Sequence, residues 1–288
     1  MVQRLDGTAP RALTPQSHYV DALSWSPDGR EIAYSAAPRT GFTAAYDARL
    51  FIVSVDGGAS RTIVDRPGMN TGPRYSPDGR QIAFISTNGH NDVMATRSLT
   101  LVAAAGGPPR TIVLDDACVN EYVWARYSRT IYLVANDGTF GRGQHMFEQA
   151  VVRLTVADGR VERLGTGPTV AFFLSASDDG SRVAYKSVDP RTMGEVAIME
   201  VASGRVTTIT DVNPELRTFE TGELKPIMWR SFDGMEIWGL LLTPPAPRRA
   251  GVCRRWCTST AARAEDSPTG SFRSSCTSCR RSIPTRRR

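Results

Sequence analysis

The sequence predicts an all-β fold, a partial β-propeller, on three observations. A segment of about fifty residues recurs four times, each copy contains a Ser-Pro-Asp-Gly turn or a degraded form of it, and each carries four short strand-like runs. Leu23–Tyr34 returns as Pro73–Phe84, in degraded form as Ser177–Tyr185, and more faintly as Trp124–Tyr132. Aligned on the turn glycine, the copies fall at positions 29, 79, 128 and 180, spacings of 50, 49 and 52 residues.

Each element of the unit has a physical reason. In Ser-Pro-Asp-Gly, proline presets φ for the second turn position, aspartate bonds back to the chain, and glycine tolerates positive φ. An Ile-Ala-Tyr or Ile-Ala-Phe strand follows, then a variable stretch. A third strand comes next, clearest in Leu50–Val55, with counterparts at Leu99–Ala103 and Val151–Val156. Turn residues at Asp56-Gly57-Gly58, Ala105-Gly106-Gly107, Asp158-Gly159 and Ser203-Gly204 then lead to a fourth strand such as Arg61–Val64 or Arg110–Val113. Four antiparallel strands in a unit of this length make one propeller blade. Asp6-Gly7 followed by Arg11–Thr14 reads as the last turn and outer strand of a preceding blade.

Composition excludes several classes. With 41% hydrophobic and 22% charged residues, the 288-residue chain is not disordered throughout. It has no run of about 18 apolar residues, and its N-terminus lacks the apolar core of a signal peptide, so as written it neither spans a membrane nor carries an export signal. That reading makes it cytoplasmic as written and leaves the native compartment open. Charge is uneven: from Arg248 to Arg288 eleven Arg face only Glu265 and Asp266, a net +9, which leaves −3 on the rest of a chain whose total is +6. A basic balance confined to one tail does not point to a nucleic-acid surface on the body.

The repeat resembles two groups, the TolB-type periplasmic propellers and the propeller domain of the prolyl oligopeptidase family, especially its acylaminoacyl-peptidase and dipeptidyl-peptidase-like members. Met228–Pro245 separates them. Asp233-Gly234, Ile237, Gly239, Leu241 and Pro244 lie in a segment similar to the strand that opens the α/β-hydrolase domain in the second family. The resemblance runs from about Leu5 to Pro245. It implies a serine peptidase of short or N-acylated peptides, with the propeller covering the active site and restricting entry. A hydrolase domain needs roughly 200 further residues, and only 43 follow Pro245. No Gly-x-Ser-x-Gly elbow occurs, and His18, His90 and His145 read as blade-loop or surface residues. The expectation is therefore a truncated chain with no catalytic, cofactor-binding or metal-binding residues and no activity alone. Short peptides are the partners that the parent family implies. The other reading is a stand-alone TolB-like propeller that binds a protein or peptide; a third would take its hydrolase from a second chain.

The tail has two explanations. Cys253-x3-Cys257 and Cys276-x2-Cys279, eighteen residues apart, have zinc-ribbon spacing. Yet the span holds only Val252, Trp256, Phe272 and Ile283 as large apolar residues. Alternatively, reading Val252–Arg263 from the third base of each codon permits LPPVVHVHGGP, similar to the strand and His-Gly-Gly-Pro that follow in the peptidase family. Trp256 has a single codon and forces a valine there. The shifted frame is the reading adopted, with the four cysteines accidents of composition.

The expected organisation is 1–17 a blade remnant, 18–215 four blades, 216–247 the crossover and first hydrolase strand, and 248–288 a disordered, frameshifted tail. Lesser signals read as structure: Gly141–His145 as a blade loop, Ala105–Pro109 as a turn, and Asp115-Asp116 and Asp178-Asp179 as solvated turns rather than calcium ligands. Trp25, Tyr75, Trp124 and Phe172 read as blade-packing residues. An arc with two raw ends exposes apolar sheet and favours self-association.

Overall fold

The computed structural model describes residues 1–258 except 4–5, 7–8, 93–94, 115–117, 137–148, 190–191, 244 and 246–255. Asp115, Asp116, Gly141–His145, Cys253, Cys276 and Cys279 lie outside the described residues. Four antiparallel blades follow one another in sequence. Blade 1 comprises β1 (Tyr19–Trp25), β2 (Glu31–Ala37), β3 (Arg49–Ser54) and β4 (Arg61–Val64), hydrogen-bonded in that order. Blade 2 repeats the arrangement with β5 (Asn70–Tyr75), β6 (Gln81–Ser86), β7 (Ser98–Ala103) and β8 (Arg110–Ile112). Blade 3 has β9 (Val119–Trp124), β10 (Thr130–Asn136), β11 (Gln149–Thr155) and the first part of β12 (Val161–Ala176). The second part of β12 is the inner strand of blade 4, which continues through β13 (Arg182–Asp189), β14 (Thr192–Glu200) and β15 (Val206–Thr208). Thus 16-residue β12 serves two blades and joins their strands into one seven-stranded sheet.

The turns explain the repeat. In all four blades the first and fourth turn residues are bonded alike: Gly29 N–H to Ser26 O at 2.9 Å, Gly79 to Ser76 at 2.8 Å, Ser128 to Ala125 at 3.1 Å and Gly180 to Ser177 at 2.9 Å. The serine hydroxyl then donates to the aspartate two residues on, in Ser26–Asp28, Ser76–Asp78 and Ser177–Asp179, each at 2.6 Å. Gly29, Gly79 and Gly180 have φ of 71°, 73° and 69°, and Ser128, in the faintest copy, adopts φ 56° all the same. Surrounding structure has therefore imposed the left-handed turn where the favoured residue is missing.

In blades 1 to 3 the second strands are buried on both faces, so alternate residues serve different interfaces. Ala33, Leu50 and Ile52 of blade 1 meet Tyr75, Ile82 and Phe84 of blade 2. Leu99 and Ile112 meet Trp124, Ile131 and Leu133, and Tyr132 and Val134 meet Leu174, Val183 and Tyr185. Polar locks accompany this packing. The Trp124 indole N–H donates to Arg74 O at 3.1 Å, Tyr75 N–H donates to Ser24 Oγ at 3.2 Å, and the Tyr122 hydroxyl donates into the paired carbonyls of Gly72 (2.5 Å) and Ala83 (2.7 Å).

The first residues continue the same grammar. Val2 and Arg11 exchange backbone hydrogen bonds at 2.9 and 2.8 Å, nine residues apart, as are the cross-strand partners Ile52 and Arg61 or Leu101 and Arg110. The arginine in this register reaches forward each time: Arg11 to Val55 O at 2.5 Å, Arg61 to Ala104 O and Ala105 O at 3.0 and 3.2 Å, and Arg110 to Val156 O and Ala157 O. Val2 and Leu13 pack against Tyr34 and Val53.

Two expectations are corrected. The residue at the Trp25–Tyr75–Trp124 position in blade 4 is Ala176, since it pairs with Val183 as Trp25 pairs with Ile32; Phe172 lies four residues earlier on the same strand, 40% exposed. Within 248–288, expected to be disordered throughout, Trp256–Thr258 forms β18 in a three-stranded sheet with β16 (Glu223–Arg230) and β17 (Glu236–Thr243). The free edge of β17 offers unpaired backbone groups, which an extended segment can satisfy whatever its composition.

The arc is not closed among the described residues. Trp25 is 49% exposed, against 7% for Tyr75 and 8% for Trp124 at the same repeat position. At the other end Val196 is 40% exposed, where its counterparts Leu50 and Leu99 are fully buried.

Candidate functional site

The first strands of successive blades are neighbours: β1 lies beside β5 and β9 beside β12, and Tyr122 and Trp124 of β9 bond the Gly72 and Arg74 carbonyls of β5. At the first junction, the Thr71 hydroxyl donates to the Asp21 carboxylate. At the third, Glu121 accepts hydrogen bonds from Phe173 N–H (2.6 Å) and Leu174 N–H (3.1 Å). The β12 register is broken between Phe172 and Ser175, and Phe173 has a φ of 58°. The carboxylate thus holds a bulge open and leaves the Phe173 ring 73% exposed, with the Phe172 ring centroid 6.3 Å away. With both oxygens committed to backbone donors, Glu121 positions these rings and is not arranged as a general base.

Among the described residues, the histidines hold no catalytic arrangement. His18 lies 3.0 Å through Nδ1 from the Tyr34 hydroxyl, which donates to Ser60 Oγ at 2.7 Å. Tyr34 therefore separates the imidazole from the serine, and the other neighbour of the ring is Phe51 at 4.5 Å. His90 closes a turn with Thr87 through its backbone, and His145 lies outside the described residues. Among the described residues, no three His, Cys, Asp or Glu side chains gather where they could hold a metal ion. Asp178 pairs with Arg126 at 3.4 Å. Asp179 is held down to about 2 by the Ser177 hydroxyl and then by the backbone and hydroxyl of Ser181.

A shallow cleft between blades 3 and 4 is lined by Tyr127, Arg129, Tyr132 and Asp179. Burial pushes the Tyr132 phenol up, and its hydroxyl donates to Gly180 O at 3.0 Å. The polar groups of this cleft tie one blade to the next, so it is a joint between blades.

Several positioning residues escaped the sequence reading. The Arg-Thr-Ile-Val run shared by Arg61–Val64 and Arg110–Val113 carried the signal for the arginine locks. Nothing local marks Glu121, whose partners lie more than fifty residues on. Among the described residues, no helix is long and apolar enough to cross a membrane.

Beyond blade 4, a 3-10 helix at Pro214–Thr218 leads into the β16–β17 hairpin, paired in register from Glu223↔Thr243 to Arg230↔Glu236. Its turn is closed by Gly234 N–H to Ser231 O at 3.0 Å and Ser231 N–H to Met235 O at 2.8 Å. Leu224, Trp229, Phe232 and Leu242 on this hairpin are exposed.

Comparison with known proteins agrees with this architecture. No curated protein matches the chain. Solved structures with the same fold include a puromycin hydrolase mutant complexed with PGG, at 20% identity and TM-score 0.61, covering 83% of this chain and 36% of that one. A puromycin-hydrolyzing peptidase from Mycobacterium tuberculosis matches at 16% identity and TM-score 0.60, over 84% of this chain and 37% of that one. TolB from Acinetobacter baumannii matches at 16% identity and TM-score 0.53, over 84% of this chain and 55% of that one. The chain thus spans about a third of the length of the two hydrolases. The family model of the TolB beta propeller domain matches residues 1–219, the whole stretch of blades, and the chain belongs to that family.

Proposed function

We propose that this chain is the substrate-gating propeller portion of a serine peptidase of the prolyl oligopeptidase type, carrying the first strands of the hydrolase domain but no catalyst. The observation that supports it is the β16–β17 hairpin directly after blade 4, with the Asp233-Gly234 turn and Gly239 in place and apolar side chains exposed. Such a sheet needs a cover to bury Leu224, Trp229 and Leu242. In the whole enzyme the blades would admit short or N-acylated peptides, and Phe172 and Phe173 on the inner edge would meet their apolar side chains. The chain alone would not hydrolyse them, since its histidines and serines form no nucleophile–base pair among the described residues. The test is to incubate purified chain with acyl-peptide and dipeptidyl chromogenic substrates. No turnover is expected; turnover abolished by a serine-directed inhibitor would overturn the reading.

The likeness to TolB over 84% of the chain supports a second reading, a propeller that binds a protein or peptide by itself. It expects saturable peptide binding by this chain, lost on Phe173→Ala, with no hydrolase partner present.

A further inference from the structure

Arg66, in the connection from blade 1 to blade 2, is a half-buried cation held by neutral groups. Its Nε donates to Asn70 Oδ1 at 3.3 Å, and its Nη2 to Ser86 Oγ at 2.7 Å, Asn88 Oδ1 at 3.2 Å and Thr100 Oγ1 at 3.4 Å. The guanidinium lies 5.7 Å from the Phe84 ring centroid, and burial lowers its pKa. Among the described residues no carboxylate pairs with it, since the adjacent Asp65 is taken by Arg49. A cation drawn partly out of water without a counter-charge is costly. Asn70, Ser86 and Thr100 are fully buried, so Asn88 is the one of these four acceptors that is open to water. Asn88 and Gly89 are the central residues of a turn closed by His90 N–H to Thr87 O at 3.1 Å, with φ of 54° and 94°. Asn88 Oδ1 also accepts from the Thr111 hydroxyl at 2.9 Å. Two donors thus polarise this side-chain carbonyl, while among the described residues Asn88 Nδ2 and the Gly89 N–H donate to nothing.

We propose that Asn88 is a self-processing site, whose side-chain amide is lost to water so that the aspartate formed becomes the missing counter-ion of Arg66. The Gly89 nitrogen attacks Asn88 Cγ and gives up its proton, the Cγ–Nδ2 bond breaks, and ammonia leaves from a closed succinimide ring. Glycine brings no side chain to hinder that nitrogen. Water then adds to Cγ, the bond from Cγ to the Gly89 nitrogen breaks, and the proton returns to that nitrogen. The net change is amide plus water to carboxylate plus ammonium ion. In both steps negative charge develops on Oδ1, where Arg66 and Thr111 already point. Water attacking the backbone carbonyl of residue 88 instead would give isoaspartate. Polarisation of Cγ directs the opening to ordinary aspartate, which keeps the backbone of the turn and tolerates its left-handed conformation as asparagine does.

The test incubates the purified full chain in mildly alkaline buffer, folded and, in parallel, unfolded in urea, and follows residue 88 by peptide mapping that separates asparagine, aspartate and isoaspartate. The folded chain is expected to convert at Asn88 mainly to aspartate. The unfolded chain, with Arg66 and Thr111 no longer in place, is expected to give mainly isoaspartate. An Asn88 that stays intact in the folded chain overturns the proposal, and so does an isoaspartate majority there. The counter-ion has a readout of its own. Asn88→Asp is expected to raise the folding equilibrium constant roughly threefold, read as a higher urea midpoint, and the gain should vanish when Arg66→Leu is added. Arg66→Gln serves where Arg66→Leu does not fold. Absence of the gain, or a gain that survives the loss of the guanidinium, overturns the pairing with Arg66.

Discussion

At the scale of single residues, the blade turn makes two sharp demands. Gly79 has φ 73° with only ordinary contacts around an added Cβ, Pro27 Cδ at 3.6 Å being nearest. Gly79→Ala is therefore expected to destabilise by conformational strain alone, about 1 kcal/mol, read as a lowered urea midpoint with unchanged slope. Ser128→Gly relieves that strain but removes the acceptor of Asp78 N–H, 3.0 Å away, so its midpoint should barely move. The turn aspartates add a pH dependence. Asp28 and Asp78 lie below the usual carboxylate value, held first by Ser26 and Ser76, and Asp179 falls from 3.8 to about 2. Because the folded form holds the proton more weakly, the stabilisation is present above the unfolded value of 3.8 and is lost as pH falls towards about 2. The thermal midpoint should be flat from neutrality to about pH 5 and drop below about pH 4. Ser177→Ala should move the Asp179 titration, followed by carboxyl NMR, up towards 3.8; an unmoved titration would refute the cause.

At the scale of elements, strands and turns were legible because one grammar is written four times. Arg61–Val64 forms the strand expected of it and Leu50–Val55 slips by one residue. The long β12 was not legible: Asp158-Gly159 announces its start, and Gly165-Thr166-Gly167-Pro168 reads as a stop between blades, yet the strand runs through it. Trp256–Thr258 was missed because its pairing depends on the β17 edge, not on its own composition. The candidate site was legible only as an absence of known motifs, since Glu121 and Phe173 meet through tertiary contact. Junction strength is testable. Tyr122→Phe leaves the Gly72 and Ala83 carbonyls without the hydroxyl and should lower stability by about 1–2 kcal/mol. In the terminal hairpin, a Cβ on Gly222 would lie 2.2 Å from Thr243 O. Gly222→Ala should unpair that end of the β16–β17 ladder, seen as faster amide exchange at Glu223, with the blades undisturbed.

At the scale of the whole molecule, the apolar clusters of the described residues join each blade to its neighbours, as in any linear array of repeats. Blades 2 and 3 are covered on both sides, and blades 1 and 4 on one side with a bare strip on the other. Hydrogen exchange should therefore be slowest in β6, β7, β10 and β11 and should accelerate towards both ends; uniform protection would contradict a linear array. One strand makes the array uneven. Between blades 1 and 2, and again between blades 2 and 3, the chain crosses in a loop, whereas between blades 3 and 4 it crosses as the unbroken β12. Cutting the backbone between β4 and β5 and joining the old termini would give a permuted protein with its strands intact. The same cut inside β12 would open a strand that two blades share, so blades 3 and 4 hang together there as one mechanical piece.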